Sequence, residues 1–124
     1  MWSNFVFNTP YDGISPEIIN GAELPDEYIE FMKLHNGGEG DTGESWLVLF
    51  PVEELEEINN DYEIYEYIEG CFIIGSDGAG ELLGINKDGK YFIVPDMLEE
   101  EYLTIIGERI EDLTACINYF WKQN

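Results

Sequence analysis

Carboxylates dominate the residues of this sequence that could do chemistry. Its 124 residues include 27 Asp and Glu, 5 Lys and Arg, and a single histidine, His35. Two carboxylates can hydrolyse a glycosidic bond when an apolar pocket keeps one of them protonated. Abundance alone gives little support to such a hydrolase, so we keep it only as an alternative. A Ser-His-Asp set would need His35, which ends a predicted helix and is expected to be structural. We therefore predict no enzyme and no catalytic residue.

A glycine-rich acidic segment, residues 37–45, is the first candidate for binding. Its carboxylates, Glu39, Asp41 and Glu44, lack the spacing of an EF-hand, which needs oxygens at alternate positions and a Glu at the twelfth. Loops often carry binding residues. We predict a solvated, flexible loop without a metal ion, and we take these three acids as candidate contacts for a protein partner.

A predicted tight turn, residues 75–80, also combines glycines with acids. It lacks the Lys and the following helix of a phosphate-binding loop, and Asp77 and Glu81 would repel a phosphate. We predict a structural turn without a cofactor, with Asp77 and Glu81 as exposed partner contacts.

In residues 61–69, tyrosines alternate with acids. They either pack on the sheet or form an acidic and aromatic surface, and Tyr65 is the candidate contact among them.

The formal net charge of −22 is unevenly distributed. Up to residue 86 the sequence has 19 acidic residues and a single basic one, Lys33. Binding to nucleic acid requires a basic surface, so this charge excludes a nucleic-acid partner. It favours a basic protein as partner, or else serves only solubility.

Cysteine usage and hydropathy indicate the compartment. Cys71 and Cys116 both lie in apolar surroundings, which predicts buried reduced thiols and no metal site. No run of about 18 apolar residues is present, and the N-terminus lacks the basic and apolar regions of a signal peptide. We therefore expect a protein of the cytoplasm that contacts no membrane.

Local signals predict helices and short strands. Helices are expected from Ser15 to about residue 21, from Pro25 to Asn36, from Val52 to about Asn60, and from Ile110 to Trp121. Strands are expected over residues 46–50, 71–75, 81–86 and 90–94, with a short edge strand or ordered arm before residue 8. Trp46 and Trp121 are expected in the core. Together these elements predict one α+β domain, residues 1–124, with a small, mostly antiparallel sheet of about four strands or more flanked by helices.

Four motifs follow one another along the chain. They are residues 24–40 (LPDEYIEFMKLHNGGEG), residues 51–55 (PVEEL), the turn at residues 75–80 (GSDGAG), and residues 91–95 (YFIVP). In this order the motifs resemble those of the SUKH superfamily, the family of the yeast cell-wall assembly regulator and of many bacterial toxin-immunity proteins. The resemblance covers residues 15–121.

This resemblance implies a SUKH-like fold and a non-catalytic protein-binding domain. Bacterial members commonly bind and neutralise a cognate toxin, often a nuclease, whose basic surface an acidic inhibitor can attract and occlude. Yeast members act as regulatory scaffolds. We therefore expect an immunity protein that binds a basic toxin domain, with a scaffold for a cellular protein as the alternative.

Overall fold

The computed structural model of the protein describes residues 4–9, 18–19, 22–78 and 80–123. The strands in these residues are β1 (Phe5–Phe7), β2 (Ile18–Ile19), β3 (Ala22–Glu23), β4 (Gly38–Asp41), β5 (Trp46–Leu49), β6 (Phe72–Ser76), β7 (Glu81–Ile85), β8 (Tyr91–Pro95) and β9 (Thr104–Gly107). The helices are α1 (Asp26–His35), α2 (Val52–Tyr62), α3 (Ile64–Tyr67) and α4 (Leu113–Gln123). Two 3-10 turns, Glu100–Tyr102 and Ile110–Asp112, flank β9.

Seven of the strands form one antiparallel sheet, in the order β1-β4-β5-β6-β7-β8-β9. From β4 onward each strand pairs with the next strand of the chain, so most of the sheet is a meander with local connections. The remaining strands, β2 and β3, pair with each other. The α+β prediction is confirmed, and the sheet has more strands than the sequence signals had resolved.

Alternate side chains of the central strands pack on opposite faces of the sheet. On one face, residues of β5 to β8 join α1, α2 and α4 in the main core, which includes Tyr28, Met32, Leu49, Leu55, Phe72, Ile85, Tyr91, Leu113 and Ile117. On the second face, Ile73, Leu82, Phe92 and Val94 pack beneath Ile64 of α3, Ile68 just after it, and Leu98. Both faces of β6, β7 and β8 are therefore buried, which accounts for their continuous apolar sequences.

An asparagine side chain continues the hydrogen bonding of β6 where its neighbour β5 ends. Strand β5 pairs with β6 only through two residue pairs, the last of them Leu49 with Gly75. Closer to the start of β6, the Asn59 amide accepts from the Ile73 N–H at 2.6 Å and donates to the Ile73 carbonyl at 3.0 Å. Asn59 is buried in α2. Its amide thus replaces a strand and fixes α2 beside the sheet.

A second asparagine joins α1 to α2. Asn36 ends α1 in the left-handed conformation, with φ of 51°. Its Oδ1 accepts from the Val52 N–H at 2.8 Å, and its Nδ2 donates to Glu53 Oε1 at 2.8 Å. These contacts satisfy a backbone donor in the first turn of α2. They also bring the first two sequence motifs, residues 24–40 and 51–55, into direct contact.

Glu27 connects α1 to the other end of the sheet. Its Oε2 accepts a 2.5 Å hydrogen bond from the Tyr91 hydroxyl and a 2.7 Å hydrogen bond from the Ile110 N–H. Burial, followed by the contact with Glu27, raises the pKa of Tyr91. The hydroxyl therefore stays a donor across the physiological range, and α1 remains fixed to β8.

Two local predictions require correction, and one strand has no counterpart among the predicted elements. Residues 37–45 are not a flexible loop, because Gly38–Asp41 is strand β4. A Cβ on Gly38, where φ is +148°, would lie 2.2 Å from the Val6 carbonyl, so glycine is what allows β1 to pair there. The predicted first helix is wrong at Ile18–Ile19, which is a strand, as its β-branched residues favour. The rest of that predicted helix lies outside the described residues. Strand β9 was not predicted.

Candidate protein-binding surface

Two of the predicted contact residues lie on an uncovered part of the sheet. Glu39 and Asp41 are the exposed residues of β4, where they alternate with two buried glycines. Glu39 is paired with Val6 of β1 and with Val48 of β5, and Asp41 is paired with Trp46. Paired residues of an antiparallel sheet project to the same face. The two carboxylates therefore share one face with these three apolar side chains.

The cross-strand register shows which face this is. The row continues from Val48 to Ser76, from Ser76 to Leu82, and from Leu82 to Val94. Leu82 and Val94 belong to the second face, which α3 covers. Over β1, β4 and β5 the described side chains on this face are exposed or half-buried. We call this region the open sheet face and define it by Val6, Glu39, Asp41, Trp46 and Val48.

The expectation that Trp46 lies in the core is wrong. Its side chain is 44 % exposed and Val48 is half-buried, whereas Leu47 and Leu49 are buried in the main core. The run WLVLF conceals this alternation because every residue in it is apolar. Trp121 packs against the main core, as expected.

Glu44 lies beside this face in the turn between β4 and β5. The turn is held to α4 by Asn118, whose Oδ1 accepts from the Thr42 hydroxyl at 2.7 Å and from the Glu44 N–H at 2.9 Å. The Asn118 amide donates in turn to the Thr42 carbonyl at 2.6 Å. Glu44 Oε1 lies 4.0 Å from Lys122 Nζ, an exposed ion pair of small energetic value. These hydrogen bonds fix the backbone of the turn, from which the exposed Glu44 side chain extends.

Asp77 and Glu81 lie at the turn between β6 and β7, on the side of the sheet that carries the main core rather than on the open sheet face. Asp77 is buried, so the expectation of an exposed contact there is wrong, and its Oδ1 accepts from the Glu81 N–H at 3.1 Å. Both residues line a cavity of about 10 Å³ with apolar residues such as Leu47 and Ile117. That volume is close to the minimum that holds one water molecule, and ligand pockets are far larger. The Asp77 hydrogen bond thus closes the turn, and the cavity beside the two carboxylates has no room for a substrate.

Replacing Glu81 by glutamine tests the electrostatic cost of this turn. Burial, followed by the charges of Asp77 and Asp96, raises the pKa of Glu81 above its ordinary value of 4.5. Ionisation of a group with a raised folded-state pKa costs stability once the pH exceeds that pKa. We therefore expect Glu81→Gln to raise the free energy of unfolding at pH 7. The gain should shrink as the pH falls through the folded-state pKa and vanish below the unfolded-state pKa.

Urea unfolding at pH 7 and at about pH 4, close to the pKa of an unperturbed carboxylate, measures this difference. The matched control is Glu56→Gln, which removes the same charge from an exposed position of α2. An equal gain from both variants would mean that only the net charge matters. A Glu81→Gln gain that persists at the lower pH would contradict the raised pKa.

The remaining candidate, Tyr65, lies within an acidic stretch that includes α2 and α3. All eight acids of residues 53–69 are exposed, and so are Tyr62 and Tyr67. Tyr65 lies in α3, and its side chain is outside the described part of the structure. The ion pairs seen in the described residues use Lys33, Lys90, Arg109 and Lys122, and none involves an acid of α2 or α3. This stretch thus presents negative charge without local compensation.

A cleft lies beside the second face of the sheet. It has a volume of about 350 Å³ and is lined by Ile68, Glu69, Cys71, Asn86, Lys87, Glu100 and Leu103. Glu69 and Glu100 are exposed, whereas a catalytic acid needs an apolar pocket to hold its proton. Burial is the main cause that raises the pKa of Cys71 to about 11, so its thiol is a poor nucleophile at neutral pH.

In the described residues, no geometry supports the other functional classes that the sequence raises. There, no group of three or more His, Cys, Asp or Glu side chains could hold a metal ion. The His35 ring stacks on Phe7 at 4.0 Å between ring centroids, which is a packing role. None of the helices in the described ranges has the length and apolar character that crossing a bilayer requires.

Comparisons with known proteins identify the family. A search of curated proteins finds no match to this chain. The family model described as SMI1 / KNR4 family (SUKH-1) matches residues 17–115, which is most of the chain. The matched residues include α1, α2 and the sheet from β4 to β9, and therefore also the Asn36 contact between the first two motifs. The chain belongs to the SMI1 / KNR4 family (SUKH-1).

Proposed function

We propose that this protein is an immunity protein that binds a cognate basic toxin domain and neutralises it in the cytoplasm. Family membership supports a non-catalytic SUKH-type domain. The observation that carries the finer proposal is the one-sided charge. Residues 34–86 contain 13 Asp and Glu and no Lys or Arg. The described acids of β4, of the turn that follows it, of α2 and of α3 are all exposed.

The chemistry of the target follows from this charge. Proteins that cut nucleic acids bind phosphates through a basic surface. An acidic inhibitor attracts such a surface over long distances, which accelerates association and disfavours partners of like charge. Bound there, the inhibitor also covers the groups that would contact the phosphates. The proposed partner is therefore a basic domain, with a nuclease as the leading example.

A direct test begins with the genes beside the gene for this chain, where we expect one that encodes a basic toxin domain. We expect the two purified proteins to form a complex by calorimetry, and we expect the chain to suppress the toxicity of that domain when the two are expressed together. Absence of both effects would reject the proposal. Specific capture of one defined regulatory protein of the cell, with no binding to the toxin domain, would instead favour the scaffold function.

Salt dependence provides a quantitative prediction for this complex. Between about 0.01 M and about 0.15 M salt the screening length falls from about 30 Å to about 8 Å. We therefore expect the association rate constant to fall by about tenfold or more over this range, because electrostatic steering is lost. Stopped-flow or surface-binding kinetics measures the change. An association rate constant that does not change with salt would contradict a charge-steered encounter.

Paired variants locate the charges that contribute to steering. In low salt, Glu39→Gln with Asp41→Asn should slow association by about tenfold, because both carboxylates lie on the open sheet face. Asn at position 41 can still accept the 2.7 Å hydrogen bond from the Gly43 N–H. The control is Glu108→Gln with Glu111→Gln, which removes two acids already close to Lys90 and Arg109. A control effect as large as that of the first pair would mean that total charge alone steers association.

A further inference from the structure

The open sheet face exposes apolar side chains that the fold itself does not use. Val6 is 72 % exposed and Trp46 is 44 % exposed, and both project to the same face as the half-buried Val48. Neighbouring strands lie about 4.8 Å apart, so β1, β4 and β5 place Val6 and Val48 about 10 Å from each other, with Glu39 between them. The result is a flat apolar area with carboxylates inside it.

Trp46 is already held in part before any partner binds. Its Cδ1 lies 3.8 Å from the position that a Cβ on Gly78 would occupy, so the ring borders the turn between β6 and β7. Its backbone pairs with Asp41 within the sheet. A tryptophan on a rigid strand loses little conformational entropy on binding and offers a large contact area, which is why this residue type is common at binding hot spots.

We propose that a basic protein partner docks on the open sheet face. In this arrangement the partner places aliphatic or aromatic side chains over Val6, Trp46 and Val48, and Lys or Arg side chains against Glu39 and Asp41. The identification of that partner as the cognate toxin domain rests on the function proposed above. Beyond that function, the docking surface specifies where the toxin domain binds and which residues provide the apolar contacts.

Charge complementarity selects this occupant. A second copy of the chain would bring another net charge of −22 and place Glu39 and Asp41 near other acids, which opposes self-association. An apolar partner without cations would bury these two carboxylates unpaired, at a high desolvation cost. A partner with cations around an apolar ridge satisfies both kinds of side chain.

The test compares two exposed aromatic residues in binding to the neighbouring toxin domain. Trp46→Ala should weaken binding by about 30-fold or more, as expected for a central aromatic anchor, and the loss should appear mainly as faster dissociation. The control is Tyr119→Ala, because Tyr119 is 68 % exposed on α4 and lies outside the open sheet face; it should bind like the unaltered chain. Trp46→Phe should retain most of the affinity. Thermal unfolding of each variant verifies that it is folded.

The outcomes separate this inference from the proposed function. Unchanged affinity in both Trp46→Ala and Val6→Asp would overturn the docking surface, while the immunity function would stand on the binding that remains. Failure of the unaltered chain to bind the toxin domain would overturn both. Equal losses from Trp46→Ala and Tyr119→Ala would also reject the docking surface, because the effect would then not be confined to it.

Discussion

Replacing Asn59 by alanine is expected to lower the free energy of unfolding by about 3 kcal/mol, because it leaves two buried backbone groups without partners. The Asn59 amide hydrogen-bonds both the N–H and the carbonyl of Ile73, a residue with no exposed surface. Strand β5 has already ended at this point, so no neighbouring strand replaces the lost contacts. A cavity at the site of the deleted amide adds to the cost.

Urea unfolding measures the loss, and the adjacent residue provides the control. Asn60 is in the same helix but is exposed, and Asn60→Ala should change the free energy by about 0.5 kcal/mol or less. Asn59→Asp is a sharper second variant, because a carboxylate can accept from the Ile73 N–H but cannot donate to its carbonyl when ionised. Similar stabilities for Asn59→Ala and Asn60→Ala would show that the side chain does not replace a strand.

Replacing Asn36 by alanine is expected to cost about 3 kcal/mol, through two separable effects. Alanine has no side-chain group to accept from the Val52 N–H or to donate to Glu53. It also tolerates poorly the left-handed conformation that Asn36 adopts. Asn36→Gly removes the same hydrogen bonds, but glycine adopts the left-handed conformation without strain. It should therefore lower the free energy of unfolding by about 1–2 kcal/mol less than Asn36→Ala does.

Denaturant unfolding of the two variants resolves these effects, and Asn8→Ala provides the reference. Asn8 donates a single 3.0 Å hydrogen bond to the Asn36 carbonyl from an exposed position, so its loss should cost about 1 kcal/mol or less. Equal costs for Asn36→Ala and Asn36→Gly would exclude a contribution from the left-handed backbone. A cost for Asn36→Ala no greater than that for Asn8→Ala would mean that the link between α1 and α2 is weak.

These two asparagines also hold the acidic helix α2 in place. Asn36 positions the first turn of α2, whose outer side carries Glu53 and Glu54, and Asn59 fixes the same helix beside β6. The sequence pointed to Asn36, because an asparagine before two glycines is a common helix end. It gave no signal for Asn59, whose partner Ile73 is 14 residues away along the chain. A local sequence pattern cannot show that a side chain completes the hydrogen bonding of a distant strand.

The acidic site candidates also divide into those whose exposure the sequence predicts and one whose burial only the structure shows. Exposure of Glu39, Asp41 and Glu44 agrees with the sequence-based expectation, although they lie on a strand and an ordered turn. Asp77 is buried because β6 and β7 close a turn beside Ile117 of α4, a contact between residues far apart in sequence. The wholly apolar sequence of its strand predicts Trp46 in the core. Its side chain is at the surface because it projects to the open sheet face.

The sequence by itself determined the properties that depend on composition or on neighbours along the chain. These are the acidity that favours a basic partner, the well-defined ends of α1, the β7–β8 hairpin and the ordered motifs of the family. Only the tertiary structure decided that residues 38–41 form a strand, that Trp46 and Val6 share an open face with Glu39, and that Asp77 is buried. The physical reason is that strand pairing and burial depend on residues brought together from distant parts of the chain. Helix caps and turns depend on residues adjacent in sequence, and net charge depends on composition alone.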